Sequence, residues 1–296
     1  MTFTVSFFNP YPTTSVKQFL EDELLVPRKI RHFLRTKKHF LLNNKPVHWQ
    51  EDVKTGDLVT LIFDADDYPQ REVNQGDATQ VHVLYEDEHL IIVHKPEGMK
   101  THGNAPGEIA LLNHVSAYVG ETCHVVHRLD KETSGAVLFA KNAFILPILG
   151  RLLEQKAIQR HYWALVGPHF PKQLTITAPI GRDRHDRRKR RVDPVHGDWA
   201  RTHATCLKRN QKASLVRCQL DSGRTHQIRV HLSYKGFPIF GDPLYAKTSQ
   251  TDRLMLHAYK LTFIHPLTKK KVIAHTTSAS FEKEIRRYFN PTFKKS

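Results

Sequence analysis

Hydrophobic spacing divides the chain into a helical opening, a long run of short strands and a basic helical tail. Residues 1–12 are aromatic and contain prolines, as in a short strand with a linker. Val16, Phe19, Leu20, Leu24 and Leu25 then recur at helical spacing, with Thr13, Thr14 and Ser15 as candidate N-caps. Pro27 suits the opening of a second helix over residues 28–35. Its apolar face carries Ile30, Phe33 and Leu34, and another face carries Arg28, Arg31 and Arg35. Residues 40–42 and 58–63 are apolar strands, separated by the turn Asn43-Asn44-Lys45-Pro46 and by Gly56-Asp57.

Residues 64–80 are polar, acidic and turn-rich, and read as a linker. They predict two domains, 1–72 and 73–296. In the second, strands are predicted at 81–88 and 90–93, closed by Lys95-Pro96-Glu97-Gly98-Met99. Helical spacing recurs over 108–118 and 144–158, with Pro147 confined to the first turn. A strand over 160–166 places Tyr162 on one face with Arg160 and Ala164. Further strands fit 200–207 and 213–220, and an alternating segment after residue 226 reads as a strand bearing Arg229. A strand over 254–261 leads to a hairpin through residues 269–271, and the tail from Phe281 is helical. No repeat of solenoid length is present. Many strands and a few helices make an α+β fold.

Composition adds a partner. Of 296 residues, 45 are Lys or Arg and 29 Asp or Glu, so the net charge is +16. A field of that sign attracts polyanions, nucleic acid first. The densest run, residues 182–191, is too charged for a core and reads as a flexible arm for phosphates. The basic stripe of Arg28, Arg31 and Arg35 suits the same backbone. Three scattered cysteines exclude a disulfide framework and fit a reducing cytosol. No run reaches transmembrane length and no signal peptide opens the chain, so a cytoplasmic protein without membrane partners is expected. The pairs His124/His127 and His226/His231 could hint at a metal, but 20 histidines make chance pairs unsurprising, and no metal is expected.

The segment His127-Arg128-Leu129-Asp130-Lys131-Glu132-Thr133-Ser134-Gly135 organises the second domain. Asp130 sits among cations on a turn between two β-prone segments, where reactive side chains often stand. Read locally, the plainer reading is favoured: a surface turn whose Asp pairs with its neighbours.

Two resemblances resolve that choice. Residues 13–63, with two helices, a basic stripe, an Asn-Lys turn and Gly-Asp before a strand, resemble the S4 RNA-binding domain, although Lys37-Lys38 stands where S4 domains usually carry a glycine turn. Residues 81–275 resemble the RluA family of pseudouridine synthases. The resemblance rests on Lys95-Pro96-Glu97-Gly98-Met99 with His102, His127-Arg128-Leu129-Asp130 with Thr133-Ser134-Gly135, and Tyr162 before Ala164-Leu165-Val166. It continues through Gly223 to Arg229, Gly241-Asp242-Pro243-Leu244-Tyr245, and Leu256-His257-Ala258 with His265-Pro266. A proline-containing segment often found after the last hairpin strand is replaced here by residues 275–280.

The resemblance implies a small S4-like (αL) domain followed by a catalytic domain on a mixed, mostly antiparallel sheet. It implies isomerisation of uridine in structured RNA, ribosomal or transfer, by a monomer without a cofactor. Asp130 would be the catalytic aspartate, Tyr162 the ring that packs on the uracil and assists proton transfer at C5, and Arg229 the cation paired with Asp130. Arg128 would fill the space of the flipped nucleotide or hold its phosphate, and Leu256 would line the pocket. The chemistry agrees: a glycosidic bond that breaks through an oxocarbenium-like state wants a carboxylate near C1′. Asp130 would either attack C1′ or take a proton from the ribose. Two other classes remain on the residues alone: an RNA-binding protein that keeps the shape without chemistry, and a hydrolase.

Overall fold

The computed structural model describes residues 3–68, 73–105, 107–248 and 250–289. Its N-terminal part is a four-stranded antiparallel sheet of β1 (Phe3–Phe8), β2 (Phe40–Leu42), β3 (Lys45–Pro46) and β4 (Leu58–Phe63), in the order β1-β4-β2-β3. Ser15 caps the first helical turn by accepting from the Gln18 amide. Val16, Phe19, Leu20 and Leu24 from this segment are buried. Helix α1 (Arg28–Thr36) follows Pro27 and buries Ile30 and Leu34, leaving its basic side chains on other faces.

A ten-stranded sheet, its helices and a separate two-stranded hairpin, Ile180–Arg182 with Arg190–Val192, form the rest. The elements of this part are β5 (His82–Glu86), β6 (Leu90–Lys95), α2 (Leu111–Val119), β7 (Ser134–Ala140), α3 (Ile145–Glu154), β8 (Gln159–Val166) and β9 (Gln173–Thr177). Next come β10 (Ile180–Arg182), β11 (Arg190–Val192), β12 (Arg201–Arg209), β13 (Ser214–Leu220), α4 (Gln227–Tyr234), β14 (Leu256–Ile264), β15 (Lys271–His275) and α5 (Ala279–Phe289). The main path runs β9-β12-β13-β8-β14-β7-β6-β5, with β15 on β14 and a short His124–Val125 strand on β7. Every pair is antiparallel except β7 with β14. The sheet is mixed and mostly antiparallel, as expected.

Both faces of the central strands are covered, which is why they read as unbroken apolar runs. On β6 and β7, Leu90, Ile92, Ala136 and Leu138 point into one core, and Ile91, Val93, Val137 and Phe139 into the other. The first core is shared with the N-terminal sheet: it includes Val5, Phe19 and Phe63 as well as Phe144, Ile148 and Leu149 of and beside α3. The Phe63 and Phe144 rings lie 5.6 Å apart. Arg151 on α3 donates to the carbonyls of Asp22 and Glu23, closing the junction with polar contacts. The proposed linker 64–80 thus starts on a packed junction, with Asp64 and Asp67 paired to Lys37; its residues 69–72 lie outside the described residues.

Two expectations are corrected. Arg229 lies on helix α4, not on a strand. Residues 227–232 are buried all round, so no polar face marks a 3.6-residue period, and Ile228, Val230 and Leu232 imitate strand alternation. Residues 182–191 are not a flexible arm but span the hairpin β10–β11. The two aspartates within the run build its turn. Asp183 accepts from the amides of His185 and Asp186, and Asp186 accepts from the Arg188 amide and guanidinium.

The shared core makes a stability prediction. Phe144→Ala should cost about 3–5 kcal/mol in urea unfolding followed by circular dichroism, and wild type should unfold in one transition. A separate, earlier transition of the N-terminal sheet would contradict the shared core.

Candidate active site

The turn carrying Asp130 is fastened from three sides. The Leu129 amide donates to Thr101 Oγ1 at 3.1 Å, and that hydroxyl donates back to the Leu129 carbonyl at 3.0 Å. The Thr133 amide closes the turn onto the Asp130 carbonyl. Below it, the buried Lys95 ammonium donates to the carbonyls of Pro96, Met99 and Lys131. Burial pushes Lys95 down to about 7 from the usual lysine range, against the pull of Asp130, Glu132 and Glu97. Behind the turn, Gly135 has φ +131° where β7 meets β14, and a Cβ there would fall 2.3 Å from the Ala258 carbonyl oxygen. Glycine is therefore required for the strand behind Asp130 to lie close to the strand that carries Leu256.

Arg229 approaches from α4. Its Nε and Nη2 donate to the two carboxylate oxygens of Asp242 at 2.9 and 2.8 Å, a bidentate pair buried on both sides. The remaining arm, Nη1, donates to Asp130 Oδ2 at 3.2 Å and stands 3.8 Å from Glu132. Burial alone would make the guanidinium easier to deprotonate, but Asp242, and then Asp130, hold its proton more firmly than usual. Asp242 also accepts from the amides of Leu244 and Tyr245, so its loop is folded around the carboxylate.

His226 Nε2 lies 3.8 Å from Asp130 Oδ2, and its Nδ1 is 2.9 Å from the Tyr245 hydroxyl. Burial lowers the pKa of His226 below its ordinary value, which favours a neutral ring. His231 is tied to Thr202 and to the Ala178 carbonyl. Among the described residues, no three His, Cys, Asp or Glu side chains are grouped as metal ligands.

Tyr162 lies on β8 where β14 carries one extra residue opposite it, a bulge that re-aims a side chain next to the site. Its phenol is pushed above the ordinary tyrosine range by burial. Asp130, Tyr162, Arg229, Leu256 and Arg128 all line one cleft, together with Arg160, Arg224 and His226. Arg128 is exposed there and also lines a neighbouring cleft with Lys100, His102 and Asn104. Arg28 and Arg31 are not part of either cleft; they stand on α1, where Arg28 is exposed and Arg31 is engaged by Glu21.

Three contributors carried no role in the sequence reading. Asp242 and His226 lay within motifs of the resemblance, His226 also as half of a possible metal pair, and Thr101 had no signal. The Gly241-Asp242-Pro243 spacing was the visible clue to the first.

Comparison with known proteins converges on one class. The family described as RNA pseudouridylate synthase matches residues 89–234, which hold Asp130, Tyr162 and Arg229. Residues 3–59 match the RluD ribosomal pseudouridine synthase N-terminal domain, a result consistent with the S4-like expectation. Human RNA pseudouridylate synthase domain containing 4 shares the fold, with a TM-score of 0.60 at 22% identity over 70% of this chain and 92% of that one. An uncharacterized RNA pseudouridine synthase of Bacillus subtilis, YhcT, is 40% identical over 249 residues, covering 80% of this chain and 81% of the relative. Ribosomal large subunit pseudouridine synthase D of Nitrosomonas europaea is 40% identical over 210 residues, covering 65% of this chain and 60% of that protein. The chain belongs to the RNA pseudouridine synthases, the family that isomerises uridine in RNA to pseudouridine.

The Arg229–Asp242 pair can be tested without substrate. Asp242→Ala leaves a buried guanidinium short of its main partner and should cost about 3–5 kcal/mol in chemical denaturation. A loss below about 1 kcal/mol, the range of exposed pairs, would show that the pair does not hold α4 in place.

Proposed function

We propose that this chain converts uridines of structured ribosomal RNA to pseudouridine, with Asp130 as the catalytic carboxylate, acting as a monomer in the cytoplasm. The observation that carries the residue roles is the contact of Arg229 Nη1 with Asp130 Oδ2, in a cleft that also holds Tyr162 and Leu256. Ribosomal RNA is favoured by the match of residues 3–59 to the RluD N-terminal domain and by relatives named for the ribosomal large subunit. None of the described helices is long and apolar enough to cross a membrane.

The reaction is an isomerisation, and its balance explains the economy of the site. The N1–C1′ bond breaks, the base turns, and C5 bonds to C1′; the proton on C5 is released while N1 ends protonated. No water is activated, because the detached base itself captures C1′. One carboxylate suffices where glycoside hydrolases use two. The guanidinium fixes that carboxylate's orientation. Burial makes the Tyr162 phenol a poor base at neutral pH, so its ring, packed on the uracil, is its main contribution. Leu256 supplies an apolar wall. Arg128, exposed at the mouth, meets the phosphate of the extruded nucleotide or the space it leaves. Arg28, on the N-terminal helix, adds a backbone contact away from the chemistry.

Tritium release from 5-tritiated uridine in ribosomal RNA measures the reaction directly. Wild type should release tritium with RNA chain length unchanged, and Asp130→Asn should lower the rate at least about 100-fold. Release that survives Asp130→Asn would overturn the role of Asp130; free uracil or shortened RNA would point to hydrolysis instead.

A further inference from the structure

Of the three tryptophans, Trp49 and Trp163 pack against the hydrophobic cores, whereas Trp199 joins none of them. Trp199 is 44% exposed. Two cations flank it: Lys156 Nζ is 5.2 Å from the ring centre, and the Arg201 guanidinium carbon 5.4 Å. The Trp199 carbonyl accepts from Arg224 Nε at 3.2 Å. Arg224 in turn lines the cleft that holds Asp130. An exposed aromatic ring is therefore wired, through one arginine, to the edge of the active site.

A second opening is also lined by Arg224. A cleft of about 370 Å³ runs between the β10–β11 hairpin and the 223–225 loop, lined by Arg182, Arg190, His196 and Arg224 with Asp198 as its one carboxylate. Asp198 is committed to Arg224 at 3.3 Å. The hairpin is held against the site through Tyr245, whose hydroxyl accepts from the Arg190 amide and meets His226. A basic cleft of nucleotide size, and an exposed indole whose backbone joins that cleft through Asp198 and Arg224, match the two halves of an unpaired nucleotide: a phosphate that seeks cations, and a base with a π-face.

We propose that Trp199 and the cleft under the β10–β11 hairpin form a second nucleotide subsite, in which the indole stacks an unpaired base of the RNA and Arg182 and Arg190 hold the adjoining phosphate. The target uridine occupies the Asp130 cleft and this subsite takes a neighbour on the same strand. The inference rests on an RNA substrate. Stacking on an aromatic face tolerates any base, so the subsite grips single-stranded RNA next to the target and does not itself read sequence. The enzyme would then select uridines that have an unpaired neighbour.

Binding of a twelve-nucleotide oligouridylate to the full-length Asp130→Asn variant tests the subsite apart from turnover. Adding Trp199→Ala should weaken binding roughly 5- to 100-fold, the range for one lost base–aromatic stack. Trp199→Phe should restore most of that loss, because a ring remains, while abolishing the RNA-induced quenching of tryptophan emission. Arg182→Gln should flatten the plot of log K against log salt by about 0.7, the share of one phosphate on a single strand. In the tritium assay with Asp130 intact, Trp199→Ala should raise KM with kcat little changed. Unchanged binding in Trp199→Ala, an equal loss in Trp199→Phe, or an unchanged salt slope in Arg182→Gln would overturn the subsite. A wild-type enzyme that releases no tritium would sink the catalytic reading instead, and leaves the binding outcomes to decide the subsite.

Discussion

One guanidinium holds the site together. Arg229 is buried in a place where an unpaired cation would cost several kcal/mol, and it is matched by a carboxylate, Asp242, that is itself inaccessible. The planar fork allows three nitrogens to act at fixed angles. Two are spent on Asp242, and the third reaches Asp130. The ion pair therefore works as a bracket: Asp242 sets the plane of the guanidinium, and the plane sets where Asp130 can accept. Asp130, Glu132 and Asp242 crowd this one cation, and beneath the turn the buried Lys95, pushed down by burial, is pulled the other way by Asp130 and Glu132.

The rest of the fold exists to bring four distant segments to that bracket. Alternation along β6 and β7 sends one set of side chains toward the N-terminal sheet and the other toward the active-site side. The parallel pairing of β7 with β14, allowed by Gly135, sets Leu256 beside the Asp130 turn. The bulge opposite Tyr162 and the α4 helix supply the ring and the cation. Tyr245 extends the network outward, joining His226 beside Asp130 to the hairpin at residues 182–191. The basic surface is thus mechanically continuous with the chemistry, which suits an enzyme that must grip a strand while one nucleotide leaves its stack.

Much of this was legible in the chain because the signals were local. Ser15 and Pro27 mark helix starts, the strands declare themselves by unbroken apolar runs, and the spaced motifs single out Asp130, Tyr162 and Arg229. What escaped was whatever depends on surroundings. Helix α4 is wrapped on every side, so its sequence lacks the polar face that marks a surface helix, and it passes for a strand. The hairpin passes for a loose arm because Asp183 and Asp186, outnumbered by basic neighbours, act through backbone hydrogen bonds that charge counting ignores. Asp242 carries no local mark of its partner, thirteen residues earlier on a different element. The junction of the two parts was invisible too: Phe63 and Phe144 each look like an ordinary core residue of its own domain, and only their contact shows a shared interior.

The central claim is that Asp242 acts on the reaction through Arg229 and not independently of it. A double-mutant cycle on kcat for tritium release tests this, using Arg229→Lys, Asp242→Asn and the pair together, with folding checked by circular dichroism. If the bracket is one unit, each single change should lower kcat, and the double variant should be no slower than the worse single one. Losses that multiply in the double variant would show two independent contributions and contradict the account.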